Sequence, residues 1–379
     1  MVSFSEAERV WAEEILKKID AKTERMVLRS KGVIPYFTVN GRFENMAEKN
    51  ICWWTNGFWE GMLWLMYKAT DKTMYRTAAE EGESLLDGAF YQYLRLHHDV
   101  GFLWQLSAGL NYKITGNESS RLKALYAASL LMSRFNLAGE YIRAWNGSPD
   151  EDMSGWAIID TMMNLSILYW ASDEVGDPRF ARVAMAHADK TMNHHIRGDG
   201  SAKHIVIYDP ETGKELEEDG GQGYGVGSAW SRGQAWALYG FFISYRHTGK
   251  EAYLETSRRM ADYFISSIQE DWLPRCDFRS PAKPVVYDAS AGAIAACGLL
   301  ELSESVPREE GSRYREAAMN LLREMEKHFC NWDPETDGIL YYGSVNYEDE
   351  EGRNRYLIYS DFFFTQAITK MAGLNLEIW

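Results

Sequence analysis

Residues 63–86 read LWLMYKATDKTMYRTAAEEGESLL. An apolar segment runs into a short polar break, and an amphipathic segment with an aromatic residue near its start follows. The same order recurs at residues 110–132, 168–192, 241–265 and, more loosely, 299–322. Five copies predict helical hairpins, none of which can bury its apolar face without its neighbours.

The two segments of each copy differ in polarity. The first is apolar nearly all round, as in VGFLWQLSAGLNYKI at residues 100–114, whereas the second has apolar residues at three- and four-residue spacing with charges opposite. This contrast predicts an inner ring of helices enclosed by an outer ring. The predicted helices span residues 5–28, 55–70, 73–88, 100–115, 118–135, 158–175, 178–194, 230–248, 250–268, 289–305, 311–329 and 361–373.

The first and last predicted helices are left unpaired by the five hairpins, and they can pair with each other. Six hairpins that close on themselves make an all-α (α/α)6 toroid, which we expect to fill residues 1–379 as a single domain. One long connection, residues 204–228, predicts a small β-hairpin with a PETG turn followed by a mobile glycine loop. Long connections of this kind are commonly lids or binding loops.

The inner helices of such a toroid run in the same direction, so their amino-terminal ends converge on one face. Most of the predicted starts carry Asp, Ser or Thr where an N-cap residue belongs; they read WTNGFWEG, HDVGFLW, IDTMMNL, WSRGQAW, YDASAGA and YSDFFFTQ. Capping alone is the first explanation for any one of these side chains. Six converging helix starts would also favour an anionic ligand, because their backbone N–H groups are unpaired.

Composition excludes several functional classes. The formal net charge of −15 argues against nucleic acid and against an anionic membrane surface as partners. The apolar stretches are shorter than the roughly 20 residues that span a bilayer, and the amino-terminal residues lack the pattern of an export signal, so a cytoplasmic protein is expected. The four cysteines form no CxxC pair, and the two His-His doublets form no HxxxH or HExxH motif, so a metal site is not expected.

Two aspartates are candidates for catalysis. Asp99 and Asp160 both precede apolar inner helices and lie one hairpin apart, so a toroid brings them to neighbouring positions on one rim. Two carboxylates in an aromatic-lined pocket suit general acid and base chemistry on a sugar. Asp160, in the more apolar segment AIIDTMMNL, is the expected protonated partner, and Asp99, next to His98, the ionised one. Arg232, in WSRGQAW, would either hold a ligand carboxylate or tie down an acid of a loop.

Together these segments resemble the unsaturated glucuronyl hydrolases, glycoside hydrolase family 88. The resemblance runs through most of the chain, in WWTNGFWEGMLWL (53–65), HHDVGFLWQLSA (97–108), IIDTMMNLSILYWA (158–171), HIVIYDPETG (204–213), SAWSRGQAWALYGF (228–241), DASAGAIAACGLLEL (288–302) and YSDFFF (359–364). It implies an (α/α)6 toroid that needs no metal or cofactor. It also implies removal of a C4–C5 unsaturated uronate from the non-reducing end of polysaccharide-lyase products.

The resemblance further implies roles for individual residues. Asp160 would protonate C4 of the alkene and then activate water for attack on C5, while Asp99 would bind ring hydroxyls and stabilise the charge that develops near C5. The other implied site residues are His98 beside Asp99, stacking walls at Trp54, Trp145 and Trp236, and a uronate site lined by His204, Gln222 and Arg232. Val345 stands where family members can carry an aromatic residue, and tolerance of sulfated substrates stays open.

Three alternative functions remain at this point. An unsaturated rhamnogalacturonyl hydrolase would share the fold and the chemistry but act on pectin fragments. A sugar isomerase or epimerase on a related toroid would need a histidine pair that faces the sugar and would leave the alkene intact. A purely sugar-binding protein is the third. For the leading hypothesis we expect an unsaturated oligosaccharide as ligand and a monomer or weak homo-oligomer.

Overall fold

The computed structural model describes residues 4–148, 150–374 and 376–379. Its α-helices are α1 (Glu6–Arg29), α2 (Met46–Lys49), α3 (Phe58–Thr70), α4 (Thr73–Leu86), α5 (Val100–Trp104), α6 (Leu110–Thr115), α7 (Glu118–Met132), α8 (Thr161–Asn164), α9 (Ser166–Val175), α10 (Arg179–His194), α11 (Ser231–Thr248), α12 (Glu251–Ser267), α13 (Ala289–Ser303), α14 (Arg308–His328) and α15 (Ile358–Met371). A π-helical segment, Gln105–Gly109, joins α5 to α6. None of the helices in these ranges is long and apolar enough to cross a membrane.

The helices form two concentric rings. The inner ring consists of α3, α5–α6, α8–α9, α11, α13 and α15, and the outer ring of α1, α4, α7, α10, α12 and α14. Each inner helix contacts the next one, and α15 contacts both α3 and α1, which closes the ring. The predicted (α/α)6 toroid is therefore confirmed, including the pairing of the first helix with the last.

Burial follows the polarity of the sequence. In α11 every residue from Ser231 to Ser244 is buried, because other helices cover it on all sides. In the outer helix α10 the buried positions, among them Phe180, Ala184, His187 and Thr191, recur at three- and four-residue spacing. The inner helices therefore bring apolar surface on all sides, whereas the outer helices need only one apolar face.

One glycine sets the spacing between two inner helices. A Cβ atom at Gly101 would lie 2.5 Å from Asn164 Oδ1 and 2.8 Å from Asn164 Cα. Any larger residue would force α5 away from α8. These helices begin directly after Asp99 and Asp160, so the close contact also fixes how far apart the two acids lie.

The long connection forms the predicted β-hairpin and gains a third strand. The strands are β1 (Pro35–Val39), β2 (Arg42–Asn45), β3 (Phe135–Asn136), β4 (Tyr141–Ile142), β5 (Trp156–Ile158), β6 (Ile205–Tyr208) and β7 (Glu215–Asp219). β6 pairs antiparallel with both β5 and β7, in the order β5-β6-β7. The third inner helix was predicted from residue 158, but it begins at Thr161, because residues 156–158 pair with β6. β1 and β2, like β3 and β4, form short two-stranded ribbons that the helical repeat does not predict.

The starts of the inner helices differ from the capping expected from the sequence. Among the described starts, Asp288 accepts a hydrogen bond from Ser290 N, whereas Asp99 and Asp160 make no cap hydrogen bond with their side chains. α15 begins at Ile358, three residues before its predicted start, so Asp361 lies inside the helix. Its carboxylate accepts hydrogen bonds from the backbone amides of Ile339 and Leu340. The carboxylates of Asp99 and Asp160 are therefore available for other partners.

Candidate active site

A cavity of about 330 Å³ lies at the face where the inner helices begin. Its walls are polar and aromatic, and its lining residues are Asn50, Trp53, Trp54, His97, Asp99, Trp145, His204, Ile205, Gly221, Gln222 and Val345. Asp99, Trp54, Trp145, His204 and Gln222 were all expected at the ligand site. Of the remaining lining residues, His97 is the one whose side chain can donate, accept or carry a proton, and its position next to His98 was the only signal in the sequence for placing it at the site.

Asp99 is a buried carboxylate with three hydrogen-bonding partners. Its Oδ2 lies 3.0 Å from His97 Nδ1 and 3.1 Å from His98 Nε2, and its Oδ1 accepts from Asn164 Nδ2 at 3.0 Å. Burial by itself would raise the pKa of Asp99, but the charge of His98 and the hydrogen bonds from both histidines outweigh it and hold the pKa well below its usual range. Asp99 is therefore built to stay ionised.

Asp160 has a much poorer set of partners. Its Oδ2 lies 3.4 Å from His204 Nε2, and neither atom makes a hydrogen bond to another described residue. The side chain is 12% exposed, so one edge of it can be reached from outside the protein. The two aspartates therefore differ in the way that an acid–base pair requires: one carries fixed hydrogen bonds to its charged form and the other does not.

Asn164 and Thr161 connect the two aspartates, and the sequence did not single out either one. Asn164 donates to Asp99 Oδ1, its Oδ1 accepts from Phe102 N at 2.7 Å, and its Nδ2 lies 3.5 Å from the carbonyl oxygen of Asp160. Thr161 Oγ1 lies 2.9 Å from His98 Nδ1. The spacing in DTMMN places Asn164 one helical turn after Asp160, and that was the available signal for a residue on the same helix face.

Two of the three predicted stacking tryptophans line the cavity. Trp54 packs against Tyr359 with ring centroids 4.7 Å apart, and Trp145 meets the His98 ring edge to face at 6.1 Å. The ring of Trp236 is fully buried against Phe102 and lies outside the cavity lining, so its stacking role stays a prediction. Trp236 lies in the second turn of α11, and its ring packs against Phe102 and Phe363.

Arg232 ties down an acid and a loop. Its Nη1 donates to Asp288 Oδ2 at 2.5 Å and to Ser344 O at 2.7 Å, and its Nη2 donates to Val345 O at 2.7 Å. The side chain is 1% exposed. These contacts hold Nη1 and Nη2, whereas Nε has no hydrogen-bond partner among the described residues, and the expected role of Arg232 at the uronate site stays a prediction. Its contribution to the site is to hold Val345, which does line the cavity.

Comparisons with known proteins identify the family to which this chain belongs. Residues 29–269 match the family model described as Glycosyl Hydrolase Family 88. The chain is 37% identical over 323 residues to an unsaturated glucuronyl hydrolase from Bacillus sp. (strain GL1), covering 84% of this chain and 86% of that protein. It is 30% identical to an unsaturated chondroitin disaccharide hydrolase from Streptococcus pneumoniae (strain ATCC BAA-255 / R6), covering 97% of this chain and 94% of that protein.

Among solved structures, a UGL variant in complex with dGlcA-Glc-Rha-Glc is similar at a TM-score of 0.89 and 33% identity, covering 94% of this chain and 96% of that chain. The family match spans more than half of the sequence and the fold agrees over nearly all of it. The chain belongs to glycoside hydrolase family 88.

Proposed function

We propose that this protein is an unsaturated glucuronyl hydrolase that removes the 4,5-unsaturated glucuronate from the non-reducing end of lyase products such as glycosaminoglycan disaccharides. The observation that carries the proposal is the unequal pair of aspartates beside an aromatic-walled cavity. Family membership supports it, as do relatives that are an unsaturated glucuronyl hydrolase and an unsaturated chondroitin disaccharide hydrolase.

The proposed reaction begins with a proton from Asp160. Protonated Asp160 donates to C4 of the alkene, which leaves positive charge at C5 and the ring oxygen. The resulting carboxylate then takes a proton from a water molecule as that water adds to C5, so Asp160 regains its proton. The hemiketal formed at C5 opens, the glycosidic bond breaks, and an open-chain keto-uronate and the remaining sugar leave. No proton is gained or lost by the enzyme over the cycle.

Asp99 supports this reaction as a fixed negative charge. Its three hydrogen-bonding partners keep it ionised, so it can accept hydrogen bonds from ring hydroxyls and stabilise the positive charge that develops near C5. Trp54 and Trp145 provide flat apolar surfaces for the sugar faces. We assign Gln222 and Arg232 to the uronate carboxylate: Gln222 lines the cavity beside His204, and Arg232 Nε has no hydrogen-bond partner among the described residues.

The test follows the ultraviolet absorbance of the substrate alkene. Unsaturated chondroitin, hyaluronan and rhamnogalacturonan disaccharides are each mixed with the enzyme. Loss of absorbance with the first two supports the proposal, whereas loss with the third alone supports the pectin-directed alternative. An isomerase, an epimerase or a sugar-binding protein would leave all three signals unchanged.

Two variants test the roles of the acids. Asp160→Asn keeps the size of the side chain but cannot cycle a proton, so turnover falls by at least about 1,000-fold while the fold survives. Asp99→Asn also loses turnover but still binds the disaccharide in calorimetry. Substantial turnover by Asp160→Asn would remove that residue from the role of proton donor.

We also propose that the enzyme acts in the cytoplasm as one catalytic domain, as a monomer or a weak homo-oligomer, and without nucleic-acid or membrane partners. The net charge of −15 supports the last point, since nucleic acid and anionic lipid would both be repelled. Light scattering coupled to size-exclusion chromatography measures the oligomeric state directly.

A further inference from the structure

The glycine loop, residues 220–227 with the sequence GGQGYGVG, contacts a histidine of the candidate site. The backbone N–H of Gln222 donates to His204 Nδ1 at 3.0 Å. A backbone N–H can only donate, so Nδ1 must be the unprotonated nitrogen of the ring. His204 is therefore neutral in this arrangement, and its proton is on Nε2.

The protonated nitrogen faces Asp160. His204 Nε2 lies 3.4 Å from Asp160 Oδ2, and both atoms lack a hydrogen-bond partner among the described residues. The ring has little freedom to turn away, because it is 6% exposed and packs against Trp230 with centroids 4.3 Å apart. The nitrogen that carries the single proton of His204 thus lies next to the carboxyl group that we assign as the acid.

We propose that the glycine loop fixes the tautomer of His204 and thereby leaves the transferable proton to Asp160. This inference rests on the proposed role of Asp160. A histidine and an aspartate in contact compete for one proton, and an imidazolium at position 204 would keep Asp160 ionised with nothing to donate. A donor held against Nδ1 prevents the second protonation of the ring. Gly221 and the backbone amide of Gln222 act through His204, which they position.

Gly221 is required for this contact. Its φ is +53°, and a Cβ at this position would lie 2.0 Å from His204 Nδ1 and 2.9 Å from Ile205 Cδ1. A side chain here would push either the loop or the imidazole out of place. The loop is also held from its other side, since Gln222 O accepts from Tyr347 N at 2.9 Å. Docking of the loop and the state of His204 are therefore linked.

The first test is spectroscopic and needs no substrate. Histidine labelled with ¹⁵N in the ring shows by NMR which ring nitrogen carries the proton, and a His204→Gln variant assigns the signals. At neutral pH we expect the wild-type His204 to have a protonated Nε2 and a bare Nδ1. A proton on Nδ1, or an imidazolium, would overturn the inference.

The second test compares two glycines of the same loop. Gly221→Ala should lose the single-tautomer pattern, and kcat should fall about 100-fold with a smaller change in KM, as expected when a reacting group is misplaced. Gly227→Ala is the matched control, since Gly227 also has a positive φ, +77°, but a Cβ there would meet no atom within 4 Å. It should keep both the pattern and the turnover.

The inference fails if Gly221→Ala keeps the wild-type pattern and turnover, or if Gly227→Ala loses both to the same extent. Failure of the proposed function looks different. In that case the wild-type enzyme leaves the alkene of all three disaccharides intact, whatever the tautomer of His204.

Discussion

Replacing Asn164 by alanine should weaken both the fold and the reaction. In the wild type its Nδ2 donates to the Asp99 carboxylate at 3.0 Å, and its Oδ1 accepts from Phe102 N at 2.7 Å. All three residues are buried, so the variant leaves one buried N–H without an acceptor and one buried carboxylate with a donor fewer. A buried unpaired group costs about 1–3 kcal/mol, and a lost hydrogen bond to a charged group costs about as much. We therefore expect the free energy of unfolding to fall by about 3 kcal/mol, measured by urea denaturation.

Asn111→Ala is the matched control for this variant. Asn111 is buried in another inner helix and donates to a carboxylate oxygen of buried Glu83 at 2.7 Å, away from the cavity. Both variants should therefore lose stability to a similar degree, but only Asn164→Ala should lose turnover, because only Asp99 acts on the sugar. A stability loss below about 1 kcal/mol for Asn164→Ala, or equal losses of turnover in both variants, would refute the reasoning.

Three further predictions concern other residues. Burial raises the pKa of Glu60 from 4.5 to about 7, so the stability that its protonated form contributes is fully present below pH 4.5 and is lost as the pH rises through 7. In Glu60→Gln the free energy of unfolding should decline less over this pH range, as measured by denaturation curves. Trp54→Ala should raise KM with a modest change in melting temperature, whereas Trp236→Ala should lower the melting temperature sharply, as a buried ring leaves a cavity. Arg232→Gln should cost about 3–5 kcal/mol in urea denaturation, because it leaves Asp288 buried without its cation.

The helical architecture was predictable because the same pattern occurs five times, so each copy supports the interpretation of the others. Five copies with the same order of apolar, polar and amphipathic segments fix the number and direction of the helices even where a single boundary is off by a few residues. The placement of Asp99 and Asp160 on one rim follows from that alternation alone. The strand at residues 156–158 was not predictable, because its partner, β6, lies about 50 residues further along the chain.

The burial of Arg232 and Trp236 could not be predicted from the sequence, for a common reason. Whether a side chain on an inner helix faces the cavity or the core depends on residues remote in sequence. Arg232 meets Asp288 and Val345, which are 56 and 113 positions away. Local sequence left the role of Arg232 open, and these contacts reveal its tie to Asp288 and Val345, while the uronate-site role implied by the family resemblance stays a prediction. The position of Asn164, in contrast, could have been predicted from local sequence, because it lies one helical turn after Asp160.

The contact of α15 with both α1 and α3 has an evolutionary consequence. An open solenoid can gain or lose a repeat at its end, but a closed circle of six hairpins cannot change its repeat number without breaking every shared contact at the seam. Diversification of this scaffold is thereby directed into the connecting segments above the helix starts. New glycan preferences are expected to arise by lengthening, shortening or recharging those segments, while the helical frame beneath stays the same size.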